Sequence, residues 1–385
     1  MTATVVERIG LLVTNTEHGE LLDAHLVMEG GLVVAVGTGP APPGDRRIDA
    51  AGRCVLPGFV DSHTHLVFAG DRGDEFAARM AGAPYAAGGI GTTIDATRRA
   101  TDDELRAGAA ARLAEARRAG ITTIEVKSGY GATVDEEARL VRLAGELTAE
   151  TTFLGAHVVP PELAGRPDDY VELVCGPMLD ACAGHVRWID AFCEQGAFDA
   201  EASRAVLTAG AARGLTVRLH ANQLGPGPGA QLAAELGAAS ADHLTHLTAD
   251  DIDALAAAGV VATLLPLAEL STRSPAAPAR RLLDAGVTVA LATDCNPGTS
   301  YTTSMPLIVA LGCLHLGLTP DEAVRAVTAG AAAALRLDDA GHLGVGARGD
   351  LVILAADNAT HLAYRPGMDL VDTVMRSGRV VYSRR

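Results

Sequence analysis

Val55-Leu56-Pro57-Gly58-Phe59-Val60-Asp61-Ser62-His63-Thr64-His65 passes from an apolar run straight into two histidines one residue apart. Val55–Val60 has the pattern of a buried strand. Beyond a strand's end the pleat relaxes, so both imidazoles can turn toward one point. Imidazole is the commonest metal ligand on proteins. A plainer reading of the same residues is a polar start to a surface loop, and the rest of the chain decides between the two.

Downstream, apolar strand candidates recur. After Val55–Val60 they are Ile121–Val126, Thr152–Val158, Trp188–Cys193, Leu215–His220, Ala238–His243, Val260–Leu265 and Val287–Thr293. Ala/Leu/Arg helical patterns separate most of them: Asp102–Ala119, Asp135–Thr148, Glu201–Arg213, Gly229–Leu236, Ala249–Ala258 and Pro278–Ala285. Thr101 and Thr248 are placed as helix N-caps. Gly120, Gly214, Gly259 and Gly286 fall where a helix should stop. Eight strand–helix alternations predict an α/β fold, a (β/α)8 TIM-like barrel rather than a doubly wound sheet. Upstream, Val5–Thr14, Leu21–Met28 and Leu32–Gly37 are β-rich, and so are Asp350–Leu354, Leu370–Met375 and Arg379–Tyr382 at the other end. The expected division is a barrel over 55–344 and a small β-sandwich domain built from both termini, 1–54 and 345–385.

The chain has 385 residues, 48% of them hydrophobic and only 3% aromatic. Its core is therefore small and branched aliphatics, which suits helices packed closely on parallel strands. A net charge of −16 and no basic stripe argue against a nucleic-acid partner. The six cysteines lack any C-x-x-C pair and are expected to be reduced. The apolar stretch Ala254–Ala268 is broken by Gly259 and Pro266 and is too short to span a bilayer. It reads as a helix end, a turn and a strand. A cytoplasmic location and no membrane partner are the expectations.

In a barrel, chemistry gathers at the C-terminal ends of the strands. Those ends carry His63 and His65, Lys127-Ser128-Gly129-Tyr130-Gly131, His157, Glu194, His220 with Asn222 and Gln223, Asp242-His243, and Thr293-Asp294-Cys295-Asn296-Pro297-Gly298-Thr299. His63, His65, His220 and Asp294 form a ligand set suited to Zn²⁺ or Fe²⁺ with a position left for water. His243 has no place in that set; it either shuttles a proton or packs at its strand end. Lys127 is either functional or salt-bridged. The end of strand four has no lysine to bridge two metals as a carbamate.

With its metal-loop stretch His63–Arg72 and with Gly88-Gly89-Ile90, Glu125–Gly131, Gly155-Ala156-His157, Ser240–Leu244 and Ala292–Thr299, the chain resembles the metal-dependent amidohydrolase superfamily, and within it the imidazolonepropionase family. The likeness covers about residues 50 to 350. It implies a barrel with a terminal β-sandwich, one Zn or Fe ion on His63, His65, His220 and Asp294, and hydrolytic opening of the 4-imidazolone-5-propanoate ring to N-formimidoyl-L-glutamate in histidine degradation. It also implies substrate contacts from Arg72, Tyr130 and His157, and a product end held by Asn296, Gly298 and Thr299. An arginine suits the propanoate because it binds a carboxylate bidentately. Tyr85 is a weaker candidate for the pocket wall.

The chain departs from the family in two places. Gln223 stands where some relatives carry a glutamate; an amide cannot take a proton, so it can only orient. Asp294 is then expected to accept the water's proton and His243 to support the carbonyl oxygen. The second departure is 267–271, where small and aromatic residues are expected and Leu-Ala-Glu-Leu-Ser is found. The alternatives are a cyclic amidase or deaminase acting on a related heterocycle, and a catalytically dead barrel serving as a binding protein. The native metal and a homodimer are left open.

Overall fold

Strand one is two strands. The computed structural model describes residues 3–83 and 89–384. In it Cys54–Pro57 and Phe59–Asp61 belong to different sheets. Gly58 is the crossing point: its amide donates to the Asp350 carbonyl, and the next amide, Phe59, donates to Gly120. A Cβ at Gly58 would lie 2.3 Å from Thr122 Oγ1, so the chain can cross there only as glycine. A single apolar run cannot reveal this, because both halves are fully buried.

The strands are β1 (Thr4–Val13), β2 (Glu20–Glu29), β3 (Leu32–Thr38), β4 (Arg46–Asp49), β5 (Cys54–Pro57), β6 (Phe59–Asp61), β7 (Ile121–Ile124), β8 (Val126–Lys127), β9 (Thr151–Ala156), β10 (Trp188–Cys193), β11 (Thr216–Ala221), β12 (Ser240–His243), β13 (Val261–Leu264), β14 (Val289–Leu291), β15 (Leu351–Leu354), β16 (Val371–Arg376) and β17 (Arg379–Ser383). β8 to β14 pair in chain order as a parallel sheet of seven, and β6 pairs with β7 in parallel. β7 and β8 are one strand interrupted at Glu125, whose amide donates to the Asp61 carbonyl at 2.9 Å. The far edge also returns to the start. The Asp294 amide donates to the His63 carbonyl and the His65 amide to the Cys295 carbonyl, each at 3.0 Å. Asp61 reinforces the seam, accepting from the Thr293 amide at 3.1 Å and the Thr293 hydroxyl at 2.6 Å. The parallel strands thus form a closed, barrel-like α/β ring, as the eight alternations predict.

Local chemistry explains the helix ends. Thr101 and Thr248 each make a reciprocal capping box, with Glu104 and Asp251. Gly259 ends the Ala249–Ala258 helix in the left-handed region, φ +66°. The departing segment 267–271 lies in a helix, Pro266–Thr272, opened by a proline at its first position. Among the described residues, no helix is long and apolar enough to cross a membrane, and all six cysteines are free.

The two termini share one mixed sheet of eight strands in the order β17-β16-β15-β5-β1-β2-β3, with β4 against β1. The sheet curls until its end hairpins meet. The Gly349 amide donates to the Gly31 carbonyl at 2.7 Å, and the Gly378 amide donates to Gly349 at 2.9 Å. Val6, Ile9, Leu12, Leu26, Met28, Val33, Val55, Leu351, Ile353 and Met375 form a core of its own inside the curl.

Candidate metal centre

The barrel mouth brings the histidines together. One nitrogen each of His63, His65 and His220 lies within 4.8 Å of the others, and all three residues are buried. Asp294 Oδ1 approaches His63 Nε2 at 3.5 Å and His65 Nε2 at 3.6 Å. Asp294 has φ +51°, a strained value for a residue with a side chain. The seam bond its amide donates to His63 and the bond its carbonyl accepts from Asn296 Nδ2 at 2.7 Å hold it there. His243, φ +78°, stands with its ring 5.7 Å from His63 and 5.4 Å from His220.

These groups fit a cation. Burial drives His63 and His65 well below the ordinary imidazole range, and neighbouring positive groups add to the effect. The rings are therefore neutral, the form that ligates. The Nε2 atoms of His63 and His220 are buried and have no hydrogen-bond partner, a costly state for a polar atom. Behind them sit the carboxylates that orient metal-bound histidines. His63 Nδ1 pairs with Asp242 Oδ2 at 2.7 Å, and His220 Nδ1 lies 3.0 Å from Asp190 Oδ2.

Those carboxylates belong to a fully buried ionic cluster. Lys127 Nζ lies 3.0 Å from Glu125 and 2.9 Å from Asp190; Arg218 Nη2 lies 3.1 Å from Asp242. Lys127 is thus the salt-bridged lysine of the two readings. Burial works against charge on Asp190 and Asp242, but His220, Lys127 and Arg218 outweigh it and hold both below the usual carboxylate range. The carboxylates of Asp242 and Asp190 thus face His63 and His220 from below, an arrangement that suits a metal cation above them.

The Lys127–Gly131 loop is organised by a residue the sequence reading missed. Glu137, fully buried, accepts from the amides of Gly129, Gly131 and Ala132 at 3.0, 2.7 and 2.9 Å. It looks like an ordinary acidic residue in a helix's first turn, so the sequence gives no signal for it. Tyr130 is thereby set 5.9 Å from the His65 ring and 5.4 Å from the His157 ring. His157 stacks on His65 at 5.4 Å. Its Nδ1 is 3.0 Å from the Gly129 carbonyl, which only accepts, so Nδ1 carries the proton and Nε2 is the acceptor. Burial lowers this imidazole to about 3, so it is neutral at ordinary pH. Gly129 has φ +113°, and a Cβ there would meet His157 Nδ1 at 2.8 Å.

The Gln223 amide is held by Glu194 Oε2 at 2.7 Å, as is the Leu224 amide at 2.9 Å. Glu194 is therefore the anchor of the strand-five loop. Asn296 spends its side chain inside its own loop, accepting from the amides of Gly298 and Thr299 at 2.8 Å each. The Thr299 hydroxyl lies 3.3 Å from Asp294 Oδ2. Arg72 is buried and makes a two-point contact with Glu75. Arg112, also missed, pins the loop after His65 by donating to the carbonyls of Leu66 and Phe68. Tyr85 and Gly88 lie outside the described residues.

The 267–271 segment does touch the site. The Ser271 hydroxyl donates to the Thr299 carbonyl. Glu269 is buried; it accepts from Thr245 at 3.2 Å and from the Ala277 amide at 3.0 Å, and it meets His315 Nε2 at 3.1 Å.

A model described as the amidohydrolase family matches residues 54–381. Imidazolonepropionase of Salinispora arenicola is 63% identical over 98% of both chains. That of Mycolicibacterium smegmatis is 60% identical over 99% of this chain and 98% of the relative. Among solved structures, triazine hydrolase from Arthobacter aurescens superposes with a TM-score of 0.80 at 22% identity, over 100% of this chain and 95% of that one. A 5-methylcytosine deaminase from Klebsiella pneumoniae gives 0.76 at 19%, over 99% and 98%. At those identities the structures speak for the fold; identity near 60% over nearly the full length, with the family's histidine cluster gathered at the barrel mouth, shows that the chain belongs to the amidohydrolase family and, within it, to the imidazolonepropionases.

Proposed function

We propose that the chain hydrolyses the cyclic amide of 4-imidazolone-5-propanoate to N-formimidoyl-L-glutamate, a step of histidine degradation. The observation that carries this is the buried Arg72 guanidinium packed on the loop that holds Asp294. A Cβ at Gly298 would lie 2.3 Å from Arg72 Nη1. A carboxylate-binding group thereby packs against the loop that carries Asp294 of the metal-competent cluster.

One Zn or Fe ion would be held by His63, His65, His220 and Asp294; when bound, it supplies an acidified water and a polarised carbonyl. Arg72 takes the propanoate. Tyr130 and His157 flank the ring, His157 accepting at Nε2. Gln223 orients the substrate without taking a proton. Asp294 receives the water's proton and returns it to the ring nitrogen as the C–N bond breaks and the new C–O bond forms. His243 supports the carbonyl oxygen. Asn296, Gly298 and Thr299 form the loop at the product end, shaped by the hydrogen bonds Asn296 makes within it.

The architecture proposed around this site is a barrel over 58–344 and a composite body from 1–57 and 345–385, its curled sheet closing into a small sandwich over its own core; the boundary expected between 54 and 55 moves to Gly58 because Cys54–Pro57 pairs within the terminal sheet. A cytoplasmic location completes the reading.

The test is ultraviolet absorbance of freshly made imidazolone propanoate with the purified protein, before and after chelation. Metal-dependent loss of the ring chromophore is expected. No turnover with metal present would sink the substrate assignment and move the search to related cyclic amides and aminated rings.

A further inference from the structure

Arg72 precedes the helix Gly73–Met80, and Glu75 and Arg79 lie on it. Glu75 grips one edge of the Arg72 guanidinium: Nε donates to Oε2 and Nη2 to Oε1, both at 2.8 Å. Arg79 braces this pair from behind. Its Nη1 donates to Glu75 Oε1 at 3.2 Å, and its Nη2 to the Gly298 carbonyl at 2.7 Å. Both guanidiniums are deeply buried, 6% and 3% exposed, whereas the Glu75 side chain is 30% exposed.

Two glycines wall the pair. A Cβ at Gly89 would lie 2.2 Å from Arg72 Nη2 and 2.3 Å from Glu75 Oε2; one at Gly298 would lie 2.3 Å from Arg72 Nη1. No larger residue leaves this geometry intact, which gives a physical reason for glycine at both positions.

A guanidinium offers five N–H donors in a rigid fork. Glu75 occupies the Nε side, and among the described residues nothing accepts a hydrogen bond from Nη1. The edge left for a second two-point carboxylate is the Nη1–Nη2 end, which abuts the loop carrying Asp294. We infer that Glu75 and Arg79 are positioning residues that aim the free end of Arg72 at the substrate's carboxylate and so set the preference for an anionic ring over a neutral one. Arg79 ties the clamp to the Asp294 loop through Gly298, fixing the spacing between the carboxylate end and the reacting end of the substrate. Held geometry of this kind sets how much binding a pre-formed fork delivers. The inference rests on the substrate proposed above.

The experiment compares imidazolone propanoate with its propanamide, the same ring bearing a neutral side chain. Steady-state parameters are measured for the metal-loaded wild type and for Glu75→Gln, Glu75→Ala and Arg79→Met. The reading is the acid-to-amide ratio of kcat/KM, which cancels the fraction of folded enzyme. Wild type is expected to prefer the acid. Each variant is expected to lose about tenfold or more of that preference, through a raised KM for the acid with kcat and the amide's parameters little changed. Equal losses on both substrates would make the residues merely structural and overturn the inference while leaving the substrate assignment in place. A wild type that turns over neither compound would overturn that assignment, and the inference with it.

Discussion

Replacing Asp242 by Asn tests whether the buried carboxylates beneath the histidines tune the metal site. Asp242 Oδ2 accepts a hydrogen bond from His63 Nδ1 at 2.7 Å, with both side chains at 0% exposure. A hydrogen bond to a charged group contributes about 1.5–3 kcal/mol, against roughly 1 for a neutral one. Asn keeps the shape, so the loss is the charge: His63 Nε2 becomes a poorer donor and its ring is less firmly held. Removing such a partner typically weakens metal affinity about 10- to 100-fold. The same oxygen accepts from Arg218 Nη2 at 3.1 Å, so part of the cost falls on folding, and the two must be read separately. Metal affinity is measured by competition with a chromophoric chelator, and stability by urea denaturation of the metal-free protein. Weaker metal binding by at least tenfold, beyond what the change in fold stability explains, is the expected outcome. Affinity within twofold of wild type would refute the assignment of Asp242 as an orienting group.

Other perturbations have equally definite outcomes. Lys127→Met keeps the buried stem but leaves Glu125 and Asp190 facing each other without their shared cation, and metal-free stability should fall by about 3–5 kcal/mol, as when one partner of a buried ion pair is removed; a loss under about 1 kcal/mol would contradict the cluster's electrostatics. Glu269 titrates near 8, raised from 4.5 by burial. The folded state therefore holds its proton more tightly than the unfolded chain, and this stabilising contribution is complete below about pH 4.5 and fades as pH rises toward 8. The stability of wild type relative to Glu269→Gln should accordingly drop between pH 5 and 8, by at most about 1.4 kcal/mol per pH unit; a flat difference in urea titrations would show that Glu269 is already ionised at pH 5. Gly298→Ala forces a Cβ against Arg72, and kcat/KM for imidazolone propanoate should fall by up to about a hundredfold with metal content unchanged, so unchanged kinetics would show that Arg72 does not bind the substrate.

Much of this was legible in the chain. β-branched runs bounded by glycine marked the parallel strands, because a strand buried on both faces reads as one apolar run. His63, His65, His220, His243 and Asp294 could be placed at strand ends by counting alone. Thr101 and Thr248 declared their helix starts through their own acidic partners. What the sequence could not fix is pairing across distance. Nothing near Asp190, Arg218 or Glu137 tells whether a charge inside an apolar strand or in a helix's first turn meets a counter-charge, a histidine or a row of backbone amides. The run Val55–Val60 hid a change of sheet at Gly58, since burial is uniform across it and the crossing is set by Thr122 and Asp350 far along the chain. The helix at 266–272 escaped for a related reason: Glu269 becomes an inward-facing residue only because Thr245, Ala277 and His315 converge on it. Local periodicity and turn chemistry determine which residues reach the barrel mouth. Only closure of the barrel, which seats Asp294 against His63 and His65, decides how they face one another, because that geometry rests on contacts between residues more than two hundred positions apart.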